Sequence, residues 1–111
     1  TADAILEATS ELLHEMIVRN AIIEDDLASL LFTTTPDLNA VYPAKAARQM
    51  GWTRVALMGF QEMNVPGGLS LCIRVLMHWH TDKSLDEIEH VFMRDAIKLR
   101  PDLAKSPVNK N

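Results

Sequence analysis

The chain has 111 residues and a formal net charge of −4, with 48% hydrophobic and 5% aromatic residues. This length fits one domain, and the hydrophobic fraction excludes a disordered chain. Acidic and basic residues are scattered along the sequence, so it offers no clustered basic face for nucleic acid.

The single cysteine, Cys72, excludes an intramolecular disulfide and fits a reducing compartment. The longest apolar runs, such as residues 55–60, are too short to span a bilayer. No secretion signal is found at the start of the sequence. We therefore expect a cytoplasmic protein that binds neither membranes nor nucleic acid.

Apolar residues in the first twenty positions recur at steps of three and four, which predicts an amphipathic helix with one buried stripe. Thr1 or Asp3 fits its N-cap, and Asn20 stands where the helix should end. The stripe comprises Ile5, Leu6, Thr9, Leu12, Leu13, Met16 and Ile17.

Three apolar runs predict β-strands, at residues 27–34, 54–60 and 71–80. The first run is uninterrupted, so we expect that strand to be buried on both faces. The third run alternates, which places Arg74 and Cys72 on one face and Val75 on the other.

Shorter elements connect the strands. Pro43 fits the first turn of a short helix over residues 44–48. The spacing from Ser84 to Glu87 is that of a capping box and predicts a helical turn. Residues 89–93 either continue this helix or form a strand, and their periodicity does not decide between the two.

Together these elements describe one α+β domain, in which a mixed β-sheet packs against one long helix and short helices. The domain covers residues 1–104. The polar residues 105–111 are predicted to form a flexible tail.

Arg74 lies in the middle of the most apolar predicted strand, where a charge is costly to bury unless it is paired. Two interpretations stay open. In the first, a nearby carboxylate neutralises the arginine, or the strand lies near an edge with the side chain in water. In the second, its fork of donors points into a pocket and binds an anionic ligand.

Glu62 directly follows the second predicted strand, and Gln61 beside it adds an amide. Ends of strands are where open α/β sheets place ligand groups, although a solvated loop carboxylate is the commoner meaning. Position therefore makes Glu62 a candidate binding residue.

Lys45 and Arg48 lie three positions apart, so both project from one helix face. A solvated basic face is the commoner meaning of this pattern. With Arg74 and Arg100, however, they supply four cations for a dianionic small molecule if the fold brings them together.

The remaining reactive side chains give no site. His78, His80 and His90 lack the spacing of metal ligands, so we predict no metal. Cys72 has no nearby base to activate it as a nucleophile. The glycine pair at 67–68 lacks the pattern of a phosphate loop. The residues alone predict no cofactor and do not identify a substrate.

Residues 35–48 read TPDLNAVYPAKAAR, which resembles the signature TPDL-x-A-x-[FY]-PA-x-A-x-R of the trimeric chorismate mutases. Further blocks follow at the spacing of that family: QEMNVPGGL at 61–69, CIRVLM at 72–77, HVF at 90–92 and LRPDL at 99–103. The resemblance extends from the first helix to about residue 103. It concerns the α/β class of these enzymes, which is unrelated in fold to the all-helical class.

This resemblance implies a monofunctional isomerase that converts chorismate into prephenate in aromatic amino-acid biosynthesis, without metal or cofactor. It implies a homotrimer with a barrel-like core and three active sites at the subunit interfaces. It also implies a strand at residues 89–93 and a short helix near 95–98.

The resemblance further implies two catalytic residues. Arg74 matches the arginine that contacts the ether oxygen and a carboxylate of the substrate, and Glu62 matches the glutamate that bonds the ring hydroxyl. The implied substrate-binding residues are Tyr42, Ala44, Lys45 and Arg48 of the neighbouring subunit, then Leu57, Met58, Gly59, Gln61, Phe92, Leu99 and Arg100.

The sequence also departs from the family pattern. Gly59 stands where relatives often have cysteine, and Phe92 lacks the hydroxyl of the family's tyrosine. The family's N-terminal strand, with an arginine that binds a substrate carboxylate, has no counterpart in the sequence. We expect this strand in a leader that precedes residue 1, and severely reduced activity without it.

Two other functions stay open. One is a catalytically silent trimer that binds a small anion or regulates a partner, in keeping with the missing arginine. The other is a different enzyme on the same trimeric architecture, such as a small imine deaminase, a family that does not share the block at residues 42–48.

Overall fold

The computed structural model of the protein describes residues 1–93. Within this range the chain forms two α-helices, a three-stranded sheet and two single turns of 3-10 helix. The elements are α1 Ala2–Asn20, β1 Leu27–Thr34, α2 Ala44–Gln49, β2 Ala56–Gln61 and β3 Ile73–Trp79. The predicted α+β fold with a mixed sheet is confirmed.

Helix α1 begins and ends close to where the sequence predicts. The Thr1 hydroxyl accepts a hydrogen bond from the amide of Ala4, which makes Thr1 the N-cap. Ile5, Thr9 and Leu13 form its buried stripe. Ala21 follows the helix in the left-handed conformation that ends many helices.

Strand β1 lies at the centre of the sheet, parallel to β2 and antiparallel to β3. A parallel pair needs a crossover connection, and α2 lies in the one between β1 and β2. Because side chains alternate along a strand, Leu30 and Phe32 of β1 share one face of the sheet with Val75 and Met77 of β3.

That face is covered by α1 and α2 and holds the core; we call it the covered face. Leu30, Phe32 and Leu13 are almost completely buried there, together with the small residues Ala46 and Ala47 of α2. Alanines at these two positions bring α2 close to the other core side chains.

The opposite face of the sheet, which we call the open face, is only partly buried. It carries Ser29, Leu31, Thr33, Met58, Phe60, Arg74, Leu76 and His78. The prediction that β1 is buried on both faces is therefore wrong for the single chain. Both helices of the described range pack on the covered face, so neither of them covers the open face.

Strands β2 and β3 each begin two residues later than predicted, because carboxylates bind the amides that precede them. Glu24 Oε2 accepts hydrogen bonds from the amides of Arg54 and Val55, at 2.9 and 3.1 Å. The carboxylate of Asp37 accepts a hydrogen bond from the amide of Leu71 at 3.2 Å. Leu71 itself has a positive φ of 50°. These amides are bonded to side chains instead of to a neighbouring strand.

Beyond β3, the predicted capping box is confirmed: Ser84 and Glu87 bond each other reciprocally at a single 3-10 turn, Leu85–Glu87. The strand expected at residues 89–93 is wrong, since the structure assigns no strand there. The predicted helix near 95–98 and the tail at 105–111 lie outside the described residues. No helix within residues 1–93 has the length and apolar character needed to cross a membrane.

The side chain of Asn20 explains why residue 89 needs no strand partner. Its Nδ2 donates to the carbonyl of Glu89 at 2.9 Å, and its Oδ1 accepts the amide of Glu89 at 2.9 Å. The same Nδ2 donates to the carbonyl of Met16 at 3.0 Å. One buried amide thus satisfies both backbone groups of Glu89 and a carbonyl in the last turn of α1.

We expect Asn20→Ala to lower the free energy of unfolding by about 2–3 kcal/mol, because it leaves partly buried backbone groups without partners. Asn39→Ala, at an exposed position, is the matched control and should change stability by less than about 0.5 kcal/mol. Urea denaturation at one protein concentration measures both. A loss for Asn20→Ala no larger than that of the control would contradict this role.

Candidate active site

The register of the sheet places three polar side chains together on the open face. Thr33 of β1 lies directly opposite Arg74 of β3 in the antiparallel pair. Glu62 is the first residue after β2, and its amide donates to the carbonyl of Thr34 at 2.8 Å. This backbone bond extends the parallel pairing by one step and brings the Glu62 side chain to Thr33 and Arg74.

Arg74 and Glu62 form a bidentate ion pair. Arg74 Nε donates to Glu62 Oε2 and Nη2 donates to Oε1, both at 2.7 Å. Thr33 Oγ1 donates a further hydrogen bond to Glu62 Oε2. The Glu62 side chain is 14% exposed, whereas that of Arg74 is 58% exposed. The carboxylate is therefore held within the site, and the guanidinium reaches outward.

These contacts shift both pKa values towards the charged forms. The hydrogen bond from Arg74 lowers the pKa of Glu62 most; burial opposes this shift, and Thr33 adds to it. The same pair raises the pKa of Arg74. Since folding lowers the pKa of Glu62, the pair stabilises the fold above the ordinary pKa of glutamate. That stabilisation is lost as the pH falls through the lower pKa of the folded state.

The structure agrees with the first of the two interpretations of Arg74. The carboxylate of Glu62 neutralises it, and much of the arginine side chain is exposed to water in the single chain. The same arrangement also allows Arg74 to bind an anionic ligand, which is the second interpretation. A guanidinium has five N–H donors, and Glu62 uses two of them. The other three bond no group within residues 1–93, so they remain available to an anion.

Two cavities meet at Arg74. One of about 570 Å³ lies between Glu62, Asp37 and the turn at residues 63–70. The other, of about 440 Å³, lies between α1, β3 and residues 88–93, and Phe92 lines it. The structure thus brings Arg74 and Glu62 together at the first cavity, and Arg74 and Phe92 at the second.

Other predicted site residues lie apart from this pair in one chain. Helix α2 packs on the covered face, where Ala44 is buried in the core, while Tyr42, Lys45 and Arg48 are exposed. Leu57 also packs against the core. Leu99 and Arg100 lie outside the described residues.

The remaining predicted residues lie on or beside β2. Met58 is on the open face and 59% exposed, and Gln61 is exposed at the end of the strand. Gly59 is exposed, and a Cβ added there would meet no atom within 4 Å. The position therefore has space for a side chain such as the cysteine that the family resemblance leads one to expect there.

Sequence reasoning missed Thr33. Its signal is weak, because a threonine in an apolar strand is ordinary, and only the β1–β3 register shows that it faces Arg74. Cys72 lies near the pair, and burial raises the pKa of its thiol, with the charge of Glu62 adding to the rise. Within residues 1–93, no group of three or more His, Cys, Asp or Glu side chains is arranged to hold a metal ion.

A family model described as chorismate mutase type I matches residues 1–103. The chain belongs to this chorismate mutase family. A chorismate mutase AroH of Thermus thermophilus is 48% identical over 104 residues, which cover 93% of this chain and 85% of that protein. The AroH protein of Bacillus subtilis is 45% identical over 105 residues, which cover 94% of this chain and 83% of its own.

A solved chorismate mutase from Clostridium thermocellum has the same fold. It superposes with a TM-score of 0.84 and 52% sequence identity, over 86% of each chain. These comparisons confirm the resemblance to the α/β chorismate mutases read from residues 35–48. The family assignment also agrees with the mixed sheet and single long helix described above.

Proposed function

We propose that this protein is a chorismate mutase, an isomerase that converts chorismate into prephenate for aromatic amino-acid biosynthesis in the cytoplasm. Its membership of the type I family supports the reaction. The bidentate Arg74–Glu62 pair at the cavity edge is the observation that carries the mechanism.

The reaction is a concerted rearrangement in which the ether C–O bond breaks while a C–C bond forms across the ring. It requires no proton transfer and no covalent intermediate. A catalyst therefore has two tasks: to hold the flexible enolpyruvyl arm over the ring, and to stabilise the negative charge that builds on the ether oxygen.

Arg74 performs the second task in this proposal. Glu62 binds two of its N–H donors and fixes the plane of the guanidinium, so the remaining donors are oriented before the substrate arrives. A fixed donor of this kind needs no reorganisation as charge develops, and is typically worth about 3–4 kcal/mol to the transition state. Glu62 in turn accepts a hydrogen bond from the ring hydroxyl of the substrate.

We propose a homotrimer with one active site at each subunit interface. The open face supports this, because large apolar side chains are exposed there: Met58 is 59% exposed, Phe60 44% and Leu76 57%. A neighbouring chain over this face removes them and Arg74 from water. It also supplies Tyr42, Lys45 and Arg48, which lie apart from Arg74 within one chain.

An absorbance assay of chorismate loss, combined with a light-scattering mass, tests this proposal. We expect prephenate formation and a mass three times that of one chain. A fully active monomer would overturn the shared site. If the protein, and a longer version that carries the family's N-terminal strand, bind chorismate without converting it, the silent anion-binding trimer is the correct function.

A further inference from the structure

The acceptor positions of Glu62 are nearly all occupied, and Thr33 occupies one of them. A carboxylate has two oxygens with about four lone-pair positions. Among the residues that the structure describes, Oε2 accepts hydrogen bonds from Arg74 Nε and the Thr33 hydroxyl, while Oε1 accepts one from Arg74 Nη2 alone. One acceptor position is therefore left, and it lies on Oε1.

We propose that Thr33 is a positioning residue of the active site, whose hydroxyl fixes the Glu62 carboxylate and leaves only Oε1 to accept the hydroxyl of the ligand. This inference rests on the proposed function, in which Glu62 binds the substrate hydroxyl. Thr33 itself acts through Glu62 and is not assigned a contact with the substrate.

The fold makes this contact rigid on both sides. Thr33 lies within the central strand, between Arg74 on β3 and Phe60 on β2. The Glu62 backbone is bonded to the next residue of the same strand, Thr34. Without the Thr33 hydroxyl, Oε2 has a free acceptor position, so the ligand hydroxyl has two competing places to bind and the carboxylate is less constrained.

The neighbouring threonine provides a matched control. Thr33→Val keeps the β-branched shape and removes the hydroxyl, whereas Thr33→Ser keeps the hydroxyl. Thr34 lies in the same strand, one position further along and on the other face, and its side chain makes no hydrogen bond within residues 1–93. Thr34→Val therefore changes strand composition equally, keeps the backbone bond to Glu62 and removes no hydrogen bond to its carboxylate.

We expect Thr33→Val to lower kcat/KM about tenfold, the usual scale for one hydrogen bond to a charged group. Thr33→Ser, which keeps the hydroxyl, should retain most of the wild-type kcat/KM, and Thr34→Val should leave kcat/KM unchanged. Because the Thr33 hydrogen bond lowers the pKa of Glu62, its removal raises that pKa. The acid limb of the kcat/KM profile should then move to higher pH in Thr33→Val alone.

A second measurement does not depend on turnover. An NMR titration of the Glu62 carboxyl carbon in the free protein should show a higher pKa in Thr33→Val than in wild type and Thr34→Val. An unchanged Glu62 titration, or equal kcat/KM values for Thr33→Val and Thr34→Val, would overturn the inference. If neither this chain nor a longer version that carries the family's N-terminal strand converts chorismate, the proposed function fails, and the titration alone then decides whether Thr33 constrains Glu62.

Discussion

Replacing Arg74 by glutamine should lower kcat by about a hundredfold or more, the scale seen when one preorganised oxyanion donor is removed. Glutamine keeps a hydrogen-bonding group but has no charge and fewer donors. It cannot form the two-point contact with Glu62, and it offers little to the charge developing on the ether oxygen. Arg74→Lys is a weaker test, because a cation remains.

Arg54→Gln is the control for Arg74→Gln. Arg54 is also an arginine in an ion pair, with Asp25, and it is well exposed away from the open-face site. Steady-state kinetics and circular dichroism of both variants separate a catalytic loss from a folding defect. A folded Arg74→Gln variant with nearly normal kcat would remove Arg74 from the mechanism.

Replacing Phe32 by alanine should lower the free energy of unfolding by about 3–5 kcal/mol. Phe32 is 1% exposed and lies in the central strand, where it contributes to the core under both helices. Its neighbours are held by strand pairing on both sides, so they collapse only partly into the space that alanine leaves. The lost transfer free energy of the side chain and the free-energy cost of the remaining cavity therefore add.

Phe32→Leu is the matched control, since it retains most of the side-chain volume and should destabilise by less than about 1.5 kcal/mol. Both variants are compared with wild type by denaturant unfolding at one protein concentration, because the apparent stability of the proposed trimer would depend on concentration. Equal losses in the two variants would show that the volume of Phe32 is not what stabilises this core.

The elements with a regular hydrophobic period were predictable from the sequence. The stripe of Ile5, Thr9 and Leu13 and the alternation around Arg74 depend only on local spacing, and the structure has both. The ends of strands were less predictable. Glu24 reaches the amide of Arg54 from thirty residues away in sequence, and no local pattern shows such a contact.

The sequence predicted which residues belong to the candidate site, but it did not predict how they contact one another. Arg74 and Glu62 stand out because a charge in or beside an apolar strand is unusual. That they pair follows from the order β2-β1-β3, which sequence periodicity does not contain. The same order explains why Thr33 was missed, and why Arg74 is more exposed in one chain than an apolar strand suggests.

The bridge made by Asn20 has a consequence for the second cavity. Asn20 joins the last turn of α1 to Glu89, and the segment from 88 to 93 lines the cavity that Arg74 and Phe92 share. The side chain of Asn20 thus links the end of the long helix directly to one wall of that cavity. A displacement of the helix terminus would therefore move the Glu89 backbone, and with it this wall of the cavity.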